Sequence, residues 1–366
     1  MLLVLAVWLL LWHPVHRLLL RLTTWCFDRG AFRATLVLTR VLERLPLAAW
    51  MRPILRREQL YAHSSLGHTE TAVSGARDLA IHAKADACLP CANCAINLFI
   101  NAGLYLEALD IERGWQGPSN PPEPSAAHAW ALVRFNLVEA VYNLGSWEAA
   151  SARLSNLEET ARGDAFLWNF FPVQRAWILA HTGHGEDALN ALAQVDWRRL
   201  PRLYRSEAHF ARAASLLAVH RYEEARREVH MGLKHALRVS STRNGLFLLG
   251  RIALAAGHPE EALRFFEAGA AHPYQGQGGD GLLAWGMASR RSAAMTRPGR
   301  PAARPHARPT EWSSLAGGLP ARAPPAGFRR GGGRQGGHVT GVSRAVRCTN
   351  EGVLSTTCPW CSPGWR

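Results

Sequence analysis

Cysteine is scarce in this chain, seven residues in 366, and the number is odd. So thin and scattered a set is no secreted disulfide framework, and a reducing compartment is the expectation. Catalytic signatures are missing too. There is no His-Glu-x-x-His, no Gly-x-Ser-x-Gly, no Walker A sequence and no kinase set, so the spacings those chemistries need are absent. The run Gly276-Gln277-Gly278-Gly279-Asp280-Gly281 spells GxGxxG, but it follows a helical pattern rather than a strand and reads as an exit loop. A long hydrophobic run is lacking as well. The longest, Met1 to Trp12, has twelve apolar residues, short of the roughly 20 that span a bilayer. No basic region precedes it and no small-residue cleavage site follows, so a secretory signal peptide fits worse than an anchor.

What is present is enough for a sizeable core: 48% hydrophobic and 19% charged residues, far from the composition of a disordered chain. The net charge of +14 sits at the ends, with +7 over residues 1–57 and +11 over 290–366, leaving −4 for 58–289. A nucleic-acid reading from pI 10.3 alone is therefore unsafe, and none is expected.

The apolar run reaches spanning length only if extended to Leu20, across Pro14, two histidines and Arg17. Arginine can snorkel, and the basic flank lies wholly on the C-terminal side. Residues 1–20 are accordingly expected to anchor the chain in a bacterial inner membrane by a single pass, contacting lipid, with the rest cytoplasmic. The alternative is a soluble cytoplasmic chain.

Residues 21–286 carry an internal repeat. A Gly-x-x-Glu-x-Ala-Leu phrase starts at Gly67, Gly103, Gly145, Gly183, His220 and Gly257, with a weaker copy at Gly30. The spacings are 37, 36, 42, 38, 37 and 37, and the long one holds a Pro/Gly loop at 114–125. Each phrase lies between two helical patterns. The Gly ends one helix in a left-handed conformation, Glu opens the next, and the Ala lets two helices approach closely. The expected fold is all-α: six to seven antiparallel helix pairs and no sheet.

These phrases resemble the tetratricopeptide (TPR) family over residues 18–272, with Leu249-Gly250 the best match to that family's first-helix pair. The resemblance implies a right-handed α-solenoid whose first helices line a concave groove. It also implies stacking by nearest neighbours, so that truncation after any repeat leaves a partly folded array.

From Met287 the pattern stops. Residues 287–366, rich in Arg, Pro and Gly, are expected to be disordered, either an arginine-rich arm or out-of-frame translation. Cys88-Leu89-Pro90-Cys91-Ala92-Asn93-Cys94 overlaps two CxxC pairs, the start of a metal or redox site. No partner CxxC follows at ribbon spacing, so Cys88, Cys91 and Cys94 stand as the rival to a binding role, and no cofactor is expected. The histidines after the turn glycines follow from the repeat itself.

Alignment on the turn residue places candidate groove residues. Asn93, Asn97 and Asn101 form a ladder at i, i+4 and i+8; Phe135, Glu139, Tyr142, Asn143, Trp177, His181, Phe210, Phe247 and Arg251 continue it. Amides can pair with a peptide backbone and aromatic rings supply anchor area. The expected function is a non-catalytic scaffold for another protein or peptide, without a small-molecule substrate, with Trp177 facing Phe210 across adjacent first helices.

Overall fold

The computed structural model describes residues 15, 18–45, 51–86, 88–115 and 124–271. The apolar run Met1 to Trp12, most of the 114–125 loop and the basic tail lie outside them. Among the described residues the chain is helical and contains no strand. The helices fall into seven hairpins: α1 (18–28) with α2 (Phe32–Glu43), α3 (Met51–Ser65) with α4 (Thr69–Asp86), α5 (Leu89–Asn101) with α6 (Tyr105–Arg113), and α7 (Pro124–Asn143) with α8 (Trp147–Ser155). The short α9 (Glu158–Arg162) follows, then α10 (Ala165–His181) with α11 (Gly185–Leu192), α12 (Arg202–Ala218) with α13 (Tyr222–His235), and α14 (Val239–Ala255) with α15 (Pro259–Ala270).

The repeated phrase makes the hairpins in the way its residues suggest. Its first residue has positive φ in all seven copies, 73° to 88° at the six glycines and 61° at His220. In each turn the following residue donates its N–H to the carbonyl five positions back, from Ala31 to Cys26 through His258 to Ala253. That is the bond that closes a helix on a left-handed residue. Five positions after the turn residue stand Ala72, Ala108, Ala150, Ala188, Ala225 and Ala262, all buried, with Thr35 in the first copy. A larger side chain there would push the two helices of the hairpin apart.

His220 takes a conformation that costs a residue with a Cβ roughly 1–2 kcal/mol. Its exposed ring recovers one hydrogen bond, to the Tyr222 hydroxyl at 2.9 Å. His220→Gly is expected to stabilise the chain by about 0.5–1 kcal/mol. At Gly183 a Cβ would meet nothing within 4 Å, so Gly183→Ala should cost about 1 kcal/mol of backbone strain alone. Urea denaturation of both variants checks this; a neutral Gly183→Ala would remove the left-handed turn as the reason for that glycine.

Each helix packs on its neighbours in sequence, and α5 with α7, α10 with α12 and α12 with α14 join successive first helices. Gly250, in the Leu-Gly pair, sits against the Phe266 ring, where a Cβ would clash. One contact departs from nearest-neighbour stacking. Phe27, Phe32, Leu36 and Ala62 share a core cluster with Leu203, and Leu237 packs beside it. A Cβ on Gly30 would lie 3.0 Å from Leu237. The first hairpin therefore rests on the sixth as well as on the second. Losing α12 and α13 would therefore also uncover part of α1 and α2.

Candidate functional site

Counting back from the turn residue separates core from open face. Ten positions back, Phe135, Val173, Phe210 and Phe247 are 3%, 0%, 1% and 7% exposed, while Asn93 at the same place in α5 is half-buried. Six back stand Asn97, Glu139, Trp177 and Arg251, and two back Asn101, Asn143 and His181, all half-buried, while Ala214 at the six-back place of α12 is buried. Steps of four residues rotate about 40° at 3.6 residues per turn. A ladder followed two steps away from the turn thus leaves the open face and enters the core. Phe135, Phe210 and Phe247 belong to helix–helix packing. The expectation that they line a groove is corrected by that rotation; Trp177 packs against the core cluster that holds Phe210.

Phe210 shows what this core does. Its ring fills the space above Gly232 of α13 and Gly245 of α14; a Cβ at Gly245 would come 2.9 Å from the ring tip, and one at Gly232 would collide with it.

The remaining candidates fall into a polar set and an aromatic set. In the first, Asn136 donates from Nδ2 to Asn93 Oδ1 at 2.7 Å, linking α7 to α5. Asn97 donates to the Asn93 carbonyl at 3.0 Å and lies 3.4 Å from Asn93 Oδ1. Asn143 Nδ2 donates to the Glu139 carbonyl at 2.9 Å. Asn101, one turn beyond Asn97, is half-buried on the same helix. Asn136 was missed in the sequence because it stands nine positions before its turn, just off the ladder.

The second group is aromatic. Tyr142 stacks on Trp147 at 5.6 Å, Trp147 on His181 at 4.3 Å, and Trp177 leans on His181 at 5.5 Å. Arg251 Nη1 lies 3.1 Å from His181 Nε2, and His181 Nδ1 lies 2.9 Å from the Trp177 carbonyl. A carbonyl only accepts and a guanidinium only donates, which fixes His181 as neutral with its proton on Nδ1. Arg251 thus reaches from the seventh hairpin to the fifth. Trp147 completes the stack; in the sequence it reads only as the aromatic position of the repeated phrase.

Beside these groups lies a buried polar set. Ser241 donates to Glu207 Oε1 at 2.8 Å, and Arg238 approaches Glu207 at 3.7 Å and the Tyr204 ring at 5.6 Å. Burial, reinforced by the neighbouring Glu207 and opposed by Arg238, raises the Glu139 carboxyl to about 7. Burial likewise holds the Tyr142 and Tyr204 phenols above their usual range.

The three cysteines are not grouped to hold a metal ion. Cys88 precedes α5, and Cys91 is half-buried on it. Cys94 points into the core, where it hydrogen-bonds Tyr61 and burial pushes its thiol up to about 12. A thiol so disfavoured as thiolate is a poor ligand or nucleophile. Among the described residues no three His, Cys, Asp or Glu side chains are grouped to hold a metal ion. Nor is any described helix long and apolar enough to cross a membrane. A cleft of about 450 Å³ lies elsewhere, beside Trp168 and Asn169 of α10; two of its arginines, Arg162 and Arg199, are already paired with Glu158 and Asp196. No protein-family model matches the chain, and comparison with curated proteins gives no match either.

Proposed function

We propose that this chain is a non-catalytic interaction scaffold of the tetratricopeptide type, a right-handed α-solenoid that receives a segment of another protein against its first helices. The observation that carries the reading is the seven-fold turn. Each copy closes its first helix in the same way, so side chains six and two positions before the turn hold matching places in successive hairpins. Those places offer amides at Asn97, Asn101 and Asn143, a carboxyl at Glu139 and a ring at Trp177. Amides can satisfy both the N–H and C=O groups of an extended backbone, and half-exposed aromatic rings provide anchor area. On this reading residues 1–20 hold the scaffold at the cytoplasmic face of an inner membrane.

The alanine series that tests it is short. Trp177→Ala should weaken partner binding by about 2 kcal/mol or more, as hot-spot aromatics do. Asn97→Ala should cost less, about 1 kcal/mol, for one backbone group left unpaired. Glu224→Ala, whose carboxylate is paired with Arg221 in the turn region, should change nothing. Trp177 also packs on the core, so each affinity is read beside a thermal melt. A lower melting temperature with unchanged affinity in Trp177→Ala would assign that ring to packing alone.

A further inference from the structure

The surface of the first hairpin is unlike the rest of the molecule. Five of the large apolar side chains that stand exposed among the described residues lie on it, Leu18, Leu22, Trp25, Val37 and Val41, and Val15 is exposed shortly before it. Leu18 is 66% exposed, Val37 57% and Trp25 51%. Leu18, Leu22 and Trp25 share an arc of about 60° on α1 at 3.6 residues per turn. Val37 and Val41 share an arc of about 100° on α2 with Arg33, Arg40 and Arg44, all three exposed. Arg29 lies over the Trp25 ring at 4.5 Å, and Arg21 is exposed one position before Leu22. An outer face of a stacked array ordinarily needs to be polar to stay soluble. This one is apolar with an arginine rim.

We infer that the outer surface of the α1/α2 hairpin docks on an anionic lipid surface, apolar side chains entering the headgroup boundary and arginines meeting lipid phosphates. Three observations on charge and chain order select that occupant. Five exposed arginines are accompanied there by one exposed acid, Glu43, so a second copy docked symmetrically would set guanidinium against guanidinium. The chain's own Met1–Trp12 run carries no charge, so packing it over the hairpin would leave the arginines without counter-charge. The same run directly precedes α1, which would bring any membrane it enters to this face. Apolar residues with tryptophan on one side and arginines beside them are what an interfacial helix presents to acidic lipid. The inference shares its setting with the membrane placement proposed above; Val15 and Leu18 fall within residues 1–20, whereas Leu22, Trp25, Val37, Val41 and the five arginines lie outside them.

The test is flotation of the full chain with phosphatidylcholine vesicles, with and without phosphatidylglycerol. Binding is expected to be stronger on the anionic vesicles and to weaken with salt. Arg33→Gln with Arg40→Gln should lower anionic partitioning about 10- to 30-fold. Leu22→Ser with Trp25→Ser should lower it on the order of tenfold. All four positions are exposed, and an unchanged melting midpoint shows that each variant is folded. Leu5→Asp with Leu9→Asp breaks the apolar run and should leave the salt-sensitive anionic binding in place.

Equal partitioning onto both vesicles, or no effect of the arginine pair, would overturn the proposal while leaving a hydrophobic anchor standing. Loss of all binding in the Leu5/Leu9 variant would overturn it too, making the run the sole attachment. Retention of full binding there would favour the face and count against the anchor. If the Leu22/Trp25 variant instead turned an oligomer into a monomer in sedimentation without changing partitioning, the face would be a contact between copies and the proposal would fail.

Discussion

Phe210→Ala should be among the most damaging single changes in the molecule, lowering stability by about 3–5 kcal/mol and the melting midpoint by about 10 °C. The ring is 1% exposed and lies where Gly232 and Gly245 make room for it, at the junction of α12, α13 and α14. Two glycines cannot fill the space it would vacate. The loss therefore combines the transfer of a large apolar side chain with a residual cavity among three helices. Affinity for a partner, measured on the folded fraction, should not change. A variant that melted like the parent but bound its partner poorly would return Phe210 to the binding face.

The second large effect depends on pH. Glu139 keeps its proton in the folded chain up to about pH 7, because burial and Glu207 disfavour its charge more than Arg238 favours it. An unfolded glutamate releases its proton near 4.5. The folded state thus binds more protons between these values, and stability falls as pH rises through that window. The contribution is fully present below about 4.5 and gone above about 7. Glu139→Gln stays neutral throughout, so it should match the parent at acid pH and exceed it above pH 7 by on the order of 2 kcal/mol. Asp28, raised to about 6 by burial and by Glu58, falls in the same window. Its effect is common to parent and variant and cancels in the difference curve. A difference that grows toward low pH, or none at all, would mean that Glu139 is solvated and charged.

Much of this architecture could be read from residue spacing because turn chemistry is local. A left-handed residue needs glycine, a close helix crossing needs alanine, and both requirements recur at fixed intervals; the seven turns follow. His220 shows the limit of reading residue type: it holds the same conformation as the six glycines at an energetic cost no motif records. The faces of the first helices were legible only near the turn. Trp177, His181 and Arg251 meet as their spacing suggests. Phe135, Phe210 and Phe247, a further turn away, had rotated into the core. Trp147 was hidden because the repeat explains an aromatic residue there without reference to its neighbours. The contact of Gly30 and Phe32 with Leu237 and Leu203 had no local signal at all, since the residues it joins are far apart in the sequence.

The central claim, that a partner lies along the first helices, is tested most directly by site-specific photocrosslinking in the cell. A photoreactive phenylalanine analogue is placed singly at Asn97, Asn101 or Asn143 on that face, and at Glu224 or Glu260 near the turns of the sixth and seventh hairpins. The account predicts one crosslinked adduct of the same mass shift from the asparagine positions, lost when Trp177→Ala is added, and none from Glu224 or Glu260. Adducts arising only from Glu224 and Glu260, or asparagine adducts indifferent to Trp177→Ala, would contradict it.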